Sequence, residues 1–111
     1  MTDKISYEDF AKLDIKVAKI LDVEEIPNKD KLYKLSISLG SEKRTIVAGI
    51  KQYYKKEELK NKKIIIIANL EPAKIGGIES NGMLLAAGSK EENICVLLAP
   101  DKDIKEGMKI S

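Results

Sequence analysis

The sequence predicts an all-β fold in which five short strands close into a barrel, with short helices and an N- and a C-terminal extension. Apolar and polar residues alternate along several short segments, which is the period of a strand with one buried face. Clusters of Gly, Pro, Asn and Asp separate these segments and indicate turns. With 111 residues, 43% of them hydrophobic, the chain suits a single domain over 1–111 with one core.

The N-terminal part predicts a short helix followed by a long strand. Ser6 can cap the helix, because its hydroxyl and the acid three residues later suit a first turn, and we expect the helix to end near Leu13. The even spacing of apolar residues from Ile15 to Val23 indicates the first strand, bulged or bent near Lys19. A turn over 27–30 follows it.

The remaining segments predict a hairpin, a second short helix and further strands. Strands at Tyr33–Leu39 and Arg44–Ala48 would form the hairpin, and a short helix at Tyr53–Leu59 would precede a strand at Ile64–Leu70 that is apolar on both faces. The last predicted segments are a glycine-containing loop at Glu71–Asn81 and short strands at Met83–Ala87 and Ile94–Leu98. Three strands, a helix and further strands is the order of the OB barrel, whose closure removes exposed sheet edges.

The net charge of +2 conceals an uneven distribution along the chain. Residues 1–30 carry a net charge of −3 and residues 64–111 a net charge of −2. Between them, residues 31–63 hold ten basic and three acidic side chains, a net charge of +7. A basic centre of this kind can attract a polyanion, although charge alone leaves an ordinary lysine-rich surface open.

Residues suited to catalysis or metal binding are scarce. The sequence has no histidine, the usual general base and the commonest metal ligand, so we expect no catalytic site, no metal and no cofactor. Its one cysteine, Cys95, excludes an internal disulfide, and the apolar run Ile94–Ala99 predicts a buried, inert thiol. That run is too short to span a membrane and the first residues do not resemble a signal peptide, so we expect a cytoplasmic protein without membrane contact.

A binding surface is therefore the expected functional feature. OB barrels bind oligonucleotides on the face around the second and third strands. Here those elements carry Lys31, Lys34, Lys43 and Arg44. The chain has no Trp, Tyr33 is predicted to point into the core, and Phe10 is predicted to dock the first helix, so few aromatic rings are left to stack on bases. The composition favours recognition of a folded RNA by its backbone and shape.

Four blocks of the sequence resemble the tRNA-binding domain family, which includes the C-terminal appendix of methionyl-tRNA synthetases and freestanding homologues. The segment from Asn69 to Ala87 is similar to the family signature. Upstream, Asp14–Ile20 resembles the opening strand of the family, Pro27–Tyr33 its first long turn and Arg44–Ile50 its third strand. The likeness extends from about Tyr7 to Met108, nearly the whole chain.

The resemblance implies a non-catalytic OB barrel that binds the outer corner of the L-shaped tRNA. The positions it implies for tRNA binding are Lys31, Arg44, Asn69, Lys74, Ser80, Gly82 and Met83. Two of them have an alternative interpretation: Met83 also suits a core position, and Asn69 also suits a structural hydrogen bond at the end of a strand. Ile26 is a departure, because many relatives have histidine there.

Other functions stay open at this point. A second branch of the family is an export-associated chaperone, which usually lacks the run Glu79–Ala87 that is intact here. An enzyme is the weakest interpretation, since no catalytic constellation is present. The chain begins at Met1 just before the first motif, which suggests either a freestanding tRNA-binding protein or a β-subunit that partners a methionyl-tRNA synthetase catalytic chain.

A homodimer is the expected assembly, partly because freestanding members of the family resemble dimers. The apolar side chains expected at its interface lie in segments that a five-stranded barrel does not need. They are Ile5, Phe10, Ile104, Met108 and Ile110. Docking of both ends on their own barrel and a heterodimer with a synthetase chain are the alternatives.

Overall fold

The structure, a computed structural model, describes residues 3–111 as a mostly β domain. Its helices are α1 (Tyr7–Ala11) and α2 (Lys56–Leu59). Its strands are β1 (Ile15–Glu25), β2 (Tyr33–Ser38), β3 (Lys43–Ala48), β4 (Lys63–Ile67), β5 (Ala73–Ile75), β6 (Ile78–Ser80), β7 (Met83–Leu84), β8 (Ala86–Ser89) and β9 (Ile94–Leu97).

A curled antiparallel sheet in the order β3-β2-β1-β4-β7 forms the body of the domain, and β5–β6 and β8–β9 are hairpins beside it. Strand β1 belongs to both halves of the curl, since its first part pairs with β4 and the part from Lys19 to Glu25 pairs with β2. Its register shifts between Ile20 and Asp22, which is the bulge predicted close to Lys19. The OB-like barrel is confirmed.

The core fills the inside of the curl, and a smaller apolar cluster covers part of its outside. Alternate residues of β1 face opposite sides, so Ala18 and Ile20 are buried in the core while Ile15 and Val17 face outward with Ile65. The side chains that cover this outer cluster are Phe10, Leu13, Ile67, Leu85 and Ile110. Both ends of the described chain therefore pack on the outer face of β1 and β4.

The C-terminal tail pairs with β1. The amide of Gly107 donates to the carbonyl of Val17 over 2.6 Å, Val17 donates to Met108 over 3.0 Å, and Ile110 donates to Ile15 over 2.7 Å. These bonds satisfy backbone groups of β1 that β4 leaves free. The expectation that the tail is surplus to the barrel is wrong.

Several predicted boundaries shift because backbone groups find other partners. Helix α1 is capped by Ser6 as predicted, since the Ser6 hydroxyl accepts from the Asp9 amide over 3.1 Å, and it ends at Ala11. Strand β4 ends at Ile67, since the next amide donates to the carbonyl of Asp14 over 2.7 Å. Helix α2 is one turn long.

Three other predictions change more substantially. The predicted loop over 71–81 contains the hairpin β5–β6, whose tip residues Gly76 and Gly77 both have positive φ, 60° and 83°. The predicted strand over 83–87 breaks at Leu85, whose amide donates to Ile65. Cys95 is half-buried against the core, so the prediction of a buried thiol is wrong.

Candidate nucleic-acid interface

An open groove of about 920 Å³ lies between the β2–β3 face and the segment that follows β4. Its cations are Lys34, Lys43 and Arg44. Its other side chains are Ser36, Thr45 and Asn81, the carboxylates Glu42 and Glu79, and the apolar Ala68, Leu70 and Ile78. The groove occupies the face that OB barrels use for oligonucleotides, and it combines cations with neutral hydrogen-bonding groups.

Arg44 spans the seam between β3 and the segments that face it. Its guanidinium forms a bidentate pair with Glu42, at 3.2 and 3.1 Å, and donates to the carbonyls of Ala68 and Asn81. Hydrogen bonds from Arg44 hold the pKa of the Glu42 carboxyl below its ordinary value. Arg44 thus lines the groove, and its Nε, Nη1 and Nη2 atoms each donate to groups of the protein. Arg44 therefore joins β3 to the segments of Ala68 and Asn81 on the opposite side of the groove.

Ser80 and Gly82 shape the loop between β6 and β7. The Ser80 side chain is buried, and its hydroxyl accepts from the amide of Val47 over 2.9 Å and donates to the carbonyl of Gly82 over 3.2 Å. Gly82 has φ +140° and lies so close to the carbonyl of Ile67 that a Cβ would be 3.2 Å from that oxygen. Both residues therefore stabilise the loop beside the groove, and neither presents a free polar side chain to a ligand.

Asn69 has the structural role given above as an alternative. Its amide oxygen accepts from the backbone of Asp14 over 2.8 Å, and its amide nitrogen donates to the carbonyl of Lys12 over 2.6 Å. The side chain thus ties the end of β4 to the segment between α1 and β1. Its donor and acceptor groups both serve this connection.

Met83 lies on the surface, with 49% of its area exposed, so the core interpretation is wrong. It pairs across the sheet with Ile67, which in turn pairs with Ile15, and cross-strand partners share a face. Met83 therefore lies on the outer side of the sheet, beside the outer apolar cluster, and it is not among the residues that line the groove.

Lys31 and Lys74 are both exposed, on two segments that adjoin the groove. Lys31 lies in the β1–β2 loop three residues before the groove residue Lys34, and Lys74 lies in the hairpin that ends with Ile78 and Glu79 of the groove. Neither lysine forms an ion pair with another residue in the described range 3–111. Both ammonium groups are available to a ligand.

Part of the central positive charge is neutralised within the domain. Glu25 pairs with Lys51 at 2.7 Å and with Lys56 at 3.2 Å. Hydrogen bonds from these two lysines lower the pKa of Glu25, and the hydrogen bond to Glu25 raises the pKa of Lys51. Lys34 pairs with Glu24 at 3.7 Å. The net charge of the segment therefore overstates its free positive charge, and the carboxylates of the groove are a feature that sequence reasoning missed.

The described residues contain neither a membrane-spanning helix nor a cluster of metal ligands. No helix within 3–111 is long and apolar enough to cross a membrane. No group of His, Cys, Asp and Glu side chains in the same range is arranged to hold a metal ion. The groove and its neighbouring loops are left as the candidate site.

The fold and the groove define a small OB-like barrel of the nucleic-acid-binding kind. The chain belongs to the tRNA-binding domain family, since residues 15–109 match the family described as "Putative tRNA binding domain". It is 57% identical over 106 residues to the methionine–tRNA ligase of Pyrococcus horikoshii. That match covers 96% of this chain but 14% of the ligase, so the chain corresponds to a small part of that relative.

Solved structures agree with this membership. The MetRS-related protein from Pyrococcus horikoshii superposes with a TM-score of 0.91 at 34% identity, covering 99% of this chain and all of that one. The chaperone CsaA from Bacillus anthracis superposes with a TM-score of 0.86 at 29% identity, covering 98% of this chain and all of that one. The barrel is thus shared by family members whose names point to different roles.

Proposed function

We propose that the chain is a cytoplasmic, non-catalytic tRNA-binding module that recognises the outer corner of folded tRNA by shape and backbone charge. The observation that carries the proposal is the groove on the β2–β3 face, together with Lys31 and Lys74 on the adjoining loop and hairpin, which form no ion pair within residues 3–111. Lysines on loops can contact phosphates of a folded RNA without reading its sequence. Family membership supports tRNA as the RNA.

Recognition by shape is supported by the absence of aromatic side chains from the groove lining in the described part of the chain. Tyr33 is buried in the core, where its hydroxyl donates to the carbonyl of Tyr54 over 2.9 Å. Phe10 packs on the outer cluster and is not among the residues that line the groove. Without rings to stack on, splayed bases would gain little, whereas phosphates and 2′-hydroxyls can meet the lysines and hydroxyls of the groove.

Gel retardation tests the proposal directly. Intact tRNA should be retarded by the purified chain, and an unstructured oligonucleotide of equal length should bind more weakly at equal salt. Each phosphate contact should add about −0.9 to the slope of log affinity against log salt, if the duplex value applies. Equal affinity for the two RNAs would contradict recognition by shape, and no retardation at low salt would contradict tRNA binding.

A chaperone is the second candidate, since the CsaA chaperone has a similar structure. A specific feature favours it: the alternate residues Ile94 and Val96 of β9 and Leu98 just after it are apolar and each at least 40% exposed. Such side chains could contact apolar segments of an unfolded polypeptide. Suppression of aggregation of a denatured protein, without tRNA retardation, would favour this candidate.

A homodimer is the proposed assembly, and the structure sorts its expected residues into two groups. Phe10 and Ile110 pack on the outer cluster of their own barrel. Ile5, Ile104 and Met108 are exposed, at 69%, 37% and 49%. Burying these side chains against a twin subunit would form a twofold interface and place two lysine-bordered grooves on one particle. Light scattering at micromolar concentration tests it, because a mass near 12.4 kDa would identify a monomer.

The relation to methionyl-tRNA synthetase is the remaining part of the proposal. The chain acts either as a freestanding protein or as an accessory β-subunit that brings tRNA to a catalytic chain. The likeness to a small part of the Pyrococcus horikoshii ligase supports such a link. Affinity purification from native extract separates the two forms, since recovery of a synthetase catalytic chain identifies the subunit.

A further inference from the structure

Leu32, at the end of the β1–β2 loop, lies between two glycines from other parts of the chain. A Cβ built on Gly76, at the tip of the β5–β6 hairpin, would be 2.9 Å from Cδ1 of Leu32. A Cβ on Gly49, just after β3, would be 3.9 Å from Cδ2 of the same side chain. The first distance is shorter than real Cβ contacts, so any side chain at position 76 would have to displace Cδ1, the far end of the Leu32 side chain.

The tip of the β5–β6 hairpin lies beyond the hydrogen bonds that fasten its base to β3. Each of its strands has three residues, and all three residues of β5 are exposed. A two-stranded hairpin of this size is marginal by itself in water. Its base is fastened to β3 through Ser80 and through the amide of Asn81, which donates to Thr45 over 2.9 Å. Its tip is held by Leu32.

Two neighbours of Leu32 complete the contact. The position of a Cβ on Gly76 is 3.7 Å from Cγ of Lys29 and 3.9 Å from Cδ1 of the buried Ile26. The aliphatic stem of Lys29 therefore lies against the hairpin tip, while its ammonium group is free to reach solvent. The β1–β2 loop is itself fixed to the segment after β3, since Lys51 donates to the carbonyl of Lys31 over 3.3 Å.

The contact brings together cations that lie far apart in sequence. Lys29 and Lys31 are on the loop, and Lys74 is on the hairpin, two residues before the glycine that meets Leu32. Removing the contact would remove no charged group from the chain but would free the hairpin, and Lys74 with it, to sample other orientations. A phosphate backbone would then meet the three lysines in their productive arrangement for only a fraction of the time.

We propose that Leu32 is a positioning residue for RNA binding: it fixes the hairpin on the β1–β2 loop so that Lys29, Lys31 and Lys74 form one preorganised phosphate-binding unit. This inference rests on the proposed function. Its ligand is the phosphodiester backbone of a folded RNA, met by ammonium groups from two segments. Affinity falls in proportion to the fraction of molecules that hold the productive arrangement.

Leu32→Ala is the first test, with Leu32→Met as the conservative variant. If one molecule in ten keeps the hairpin in place, tRNA affinity should fall about tenfold, while Leu32→Met should stay close to the wild type. Amide hydrogen exchange without RNA should accelerate in residues 73–80 of Leu32→Ala and stay unchanged in β1 and β4. Unchanged affinity in a Leu32→Ala protein whose hairpin does exchange faster would overturn the positioning role.

The two tip glycines supply a matched pair of variants that leaves Leu32 intact. Asparagine tolerates positive φ, so Gly76→Asn and Gly77→Asn strain the turn to a similar, small extent. Only position 76 meets Leu32, because nothing lies within 4 Å of a Cβ at Gly77. Gly76→Asn should displace Leu32, accelerate amide exchange in residues 73–80 and weaken tRNA binding, whereas Gly77→Asn should do neither. Equal tRNA affinity of the two variants, when only Gly76→Asn exchanges faster, would overturn the proposal.

A double-mutant cycle separates positioning from a general loss of stability. Lys74→Ala should cost affinity in the wild type but little in Leu32→Ala, where Lys74 is already out of place. If Lys74→Ala lowers tRNA affinity equally in the wild type and in Leu32→Ala, Leu32 does not position Lys74. If wild-type chain fails to retard tRNA at all, the proposed function itself is wrong, and the hydrogen-exchange comparison still shows whether Leu32 holds the hairpin.

Discussion

Ser80 fastens β6 to β3 through its side chain: the buried hydroxyl accepts a hydrogen bond from the backbone amide of Val47 over 2.9 Å. In a regular β-ladder the amide of Val47 would donate to a backbone carbonyl of the neighbouring strand. Here it donates to the Ser80 hydroxyl, so a side chain joins the β5–β6 hairpin to β3. Because the same hydroxyl donates to Gly82, the bond also fixes the start of the loop that leads to β7. One serine thus holds a wall of the groove and the strand that follows it.

Ser80→Ala should lower the free energy of unfolding by about 1–3 kcal/mol, since it leaves the buried amide of Val47 without a partner. Urea unfolding measures this, and Ser41→Ala in the exposed turn before β3 is the control. Affinity for tRNA should fall as a consequence of the loosened wall. A Ser80→Ala protein with wild-type stability and weaker tRNA binding would instead assign Ser80 a direct contact with RNA.

Arg44→Lys distinguishes a positioning role from a charge that binds RNA. An ammonium group cannot reproduce the bidentate pair with Glu42 and also reach the carbonyls of Ala68 and Asn81. We therefore expect a loss of stability of about 1.5 kcal/mol, the low end for hydrogen bonds to a charged group, together with weaker tRNA binding.

Lys43→Arg is the matched control for Arg44→Lys, because it makes the reverse exchange at the neighbouring position of the groove. It keeps the charge and disturbs no ion pair within the described residues, so stability and tRNA binding should both stay near wild type. Wild-type behaviour of Arg44→Lys in thermal unfolding and in gel retardation would show that the charge of Arg44 suffices.

Sequence patterns could predict the barrel because its signals are local. The alternation from Tyr33 to Leu39 predicts a strand with a buried face, and the structure buries Leu35 and Ile37 completely. The roles of Ser80 and Asn69 depend on partners that are distant in sequence, such as Val47 for Ser80, and no short-range pattern reports them. These two side chains resemble ligand contacts in sequence, but their polar atoms are used by the fold.

The missed hairpin did have a local signal. Gly76–Gly77 between two isoleucines is a two-residue turn with positive φ at both positions, which is typical of a hairpin. Its strands are too short and too exposed to show alternation, so the segment resembles a loop. The contact between Gly76 and Leu32 depends on how two loops approach each other in space. That approach cannot be predicted from either segment alone.

Stability should fall in acid and stay level near neutral pH. Glu25, Glu42 and Asp103 each have a lowered pKa, because lysine or arginine groups donate hydrogen bonds to the carboxylates. A carboxyl with a lowered pKa stabilises the fold when the pH is above the ordinary pKa of the group, which is 4.5 for Glu and 3.8 for Asp. This contribution is lost as the pH falls through the lowered pKa. Urea midpoints from about pH 3 to about pH 8 should show that fall.

The ion pair between Glu25 and Lys51 also predicts how stability changes at alkaline pH, and it supplies a control variant. Lys51 has a raised pKa, so its ion pair stabilises the fold when the pH is below the ordinary lysine pKa of 10.5. This contribution is lost as the pH rises through the raised pKa. Since the chain has no histidine, stability should be flat between about pH 6 and about pH 8. Glu25→Gln should flatten part of the acid-side fall. A steep change near pH 6.5 would contradict this assignment of the titrating groups.

Gly107→Ala should be among the most destabilising single substitutions in the tail, although the residue lies within a few positions of the C-terminus. Gly107 has φ +95°, its amide donates to Val17 over 2.6 Å, and a Cβ would collide with the carbonyl of Leu39. The tail cannot withdraw without breaking its pairing to β1. We expect the free energy of unfolding to fall by about 3 kcal/mol, as for other substitutions that combine a positive φ with a steric clash.

Gly77→Ala isolates the two contributions, since Gly77 also has a positive φ, 83°, but nothing lies within 4 Å of its Cβ position. Its loss in urea unfolding should be about 1 kcal/mol, the cost of the backbone conformation alone. Equal losses at 77 and 107 would mean that the tail moves away from Leu39 without penalty.

The tail also decides how the proposed homodimer is tested by substitution. Deleting residues from Ile104 onward is a poor test, because it removes three backbone hydrogen bonds to β1 and loosens the barrel itself. Met108→Lys keeps those bonds and removes an exposed apolar side chain, and it should yield monomers of wild-type stability if Met108 lies in the interface.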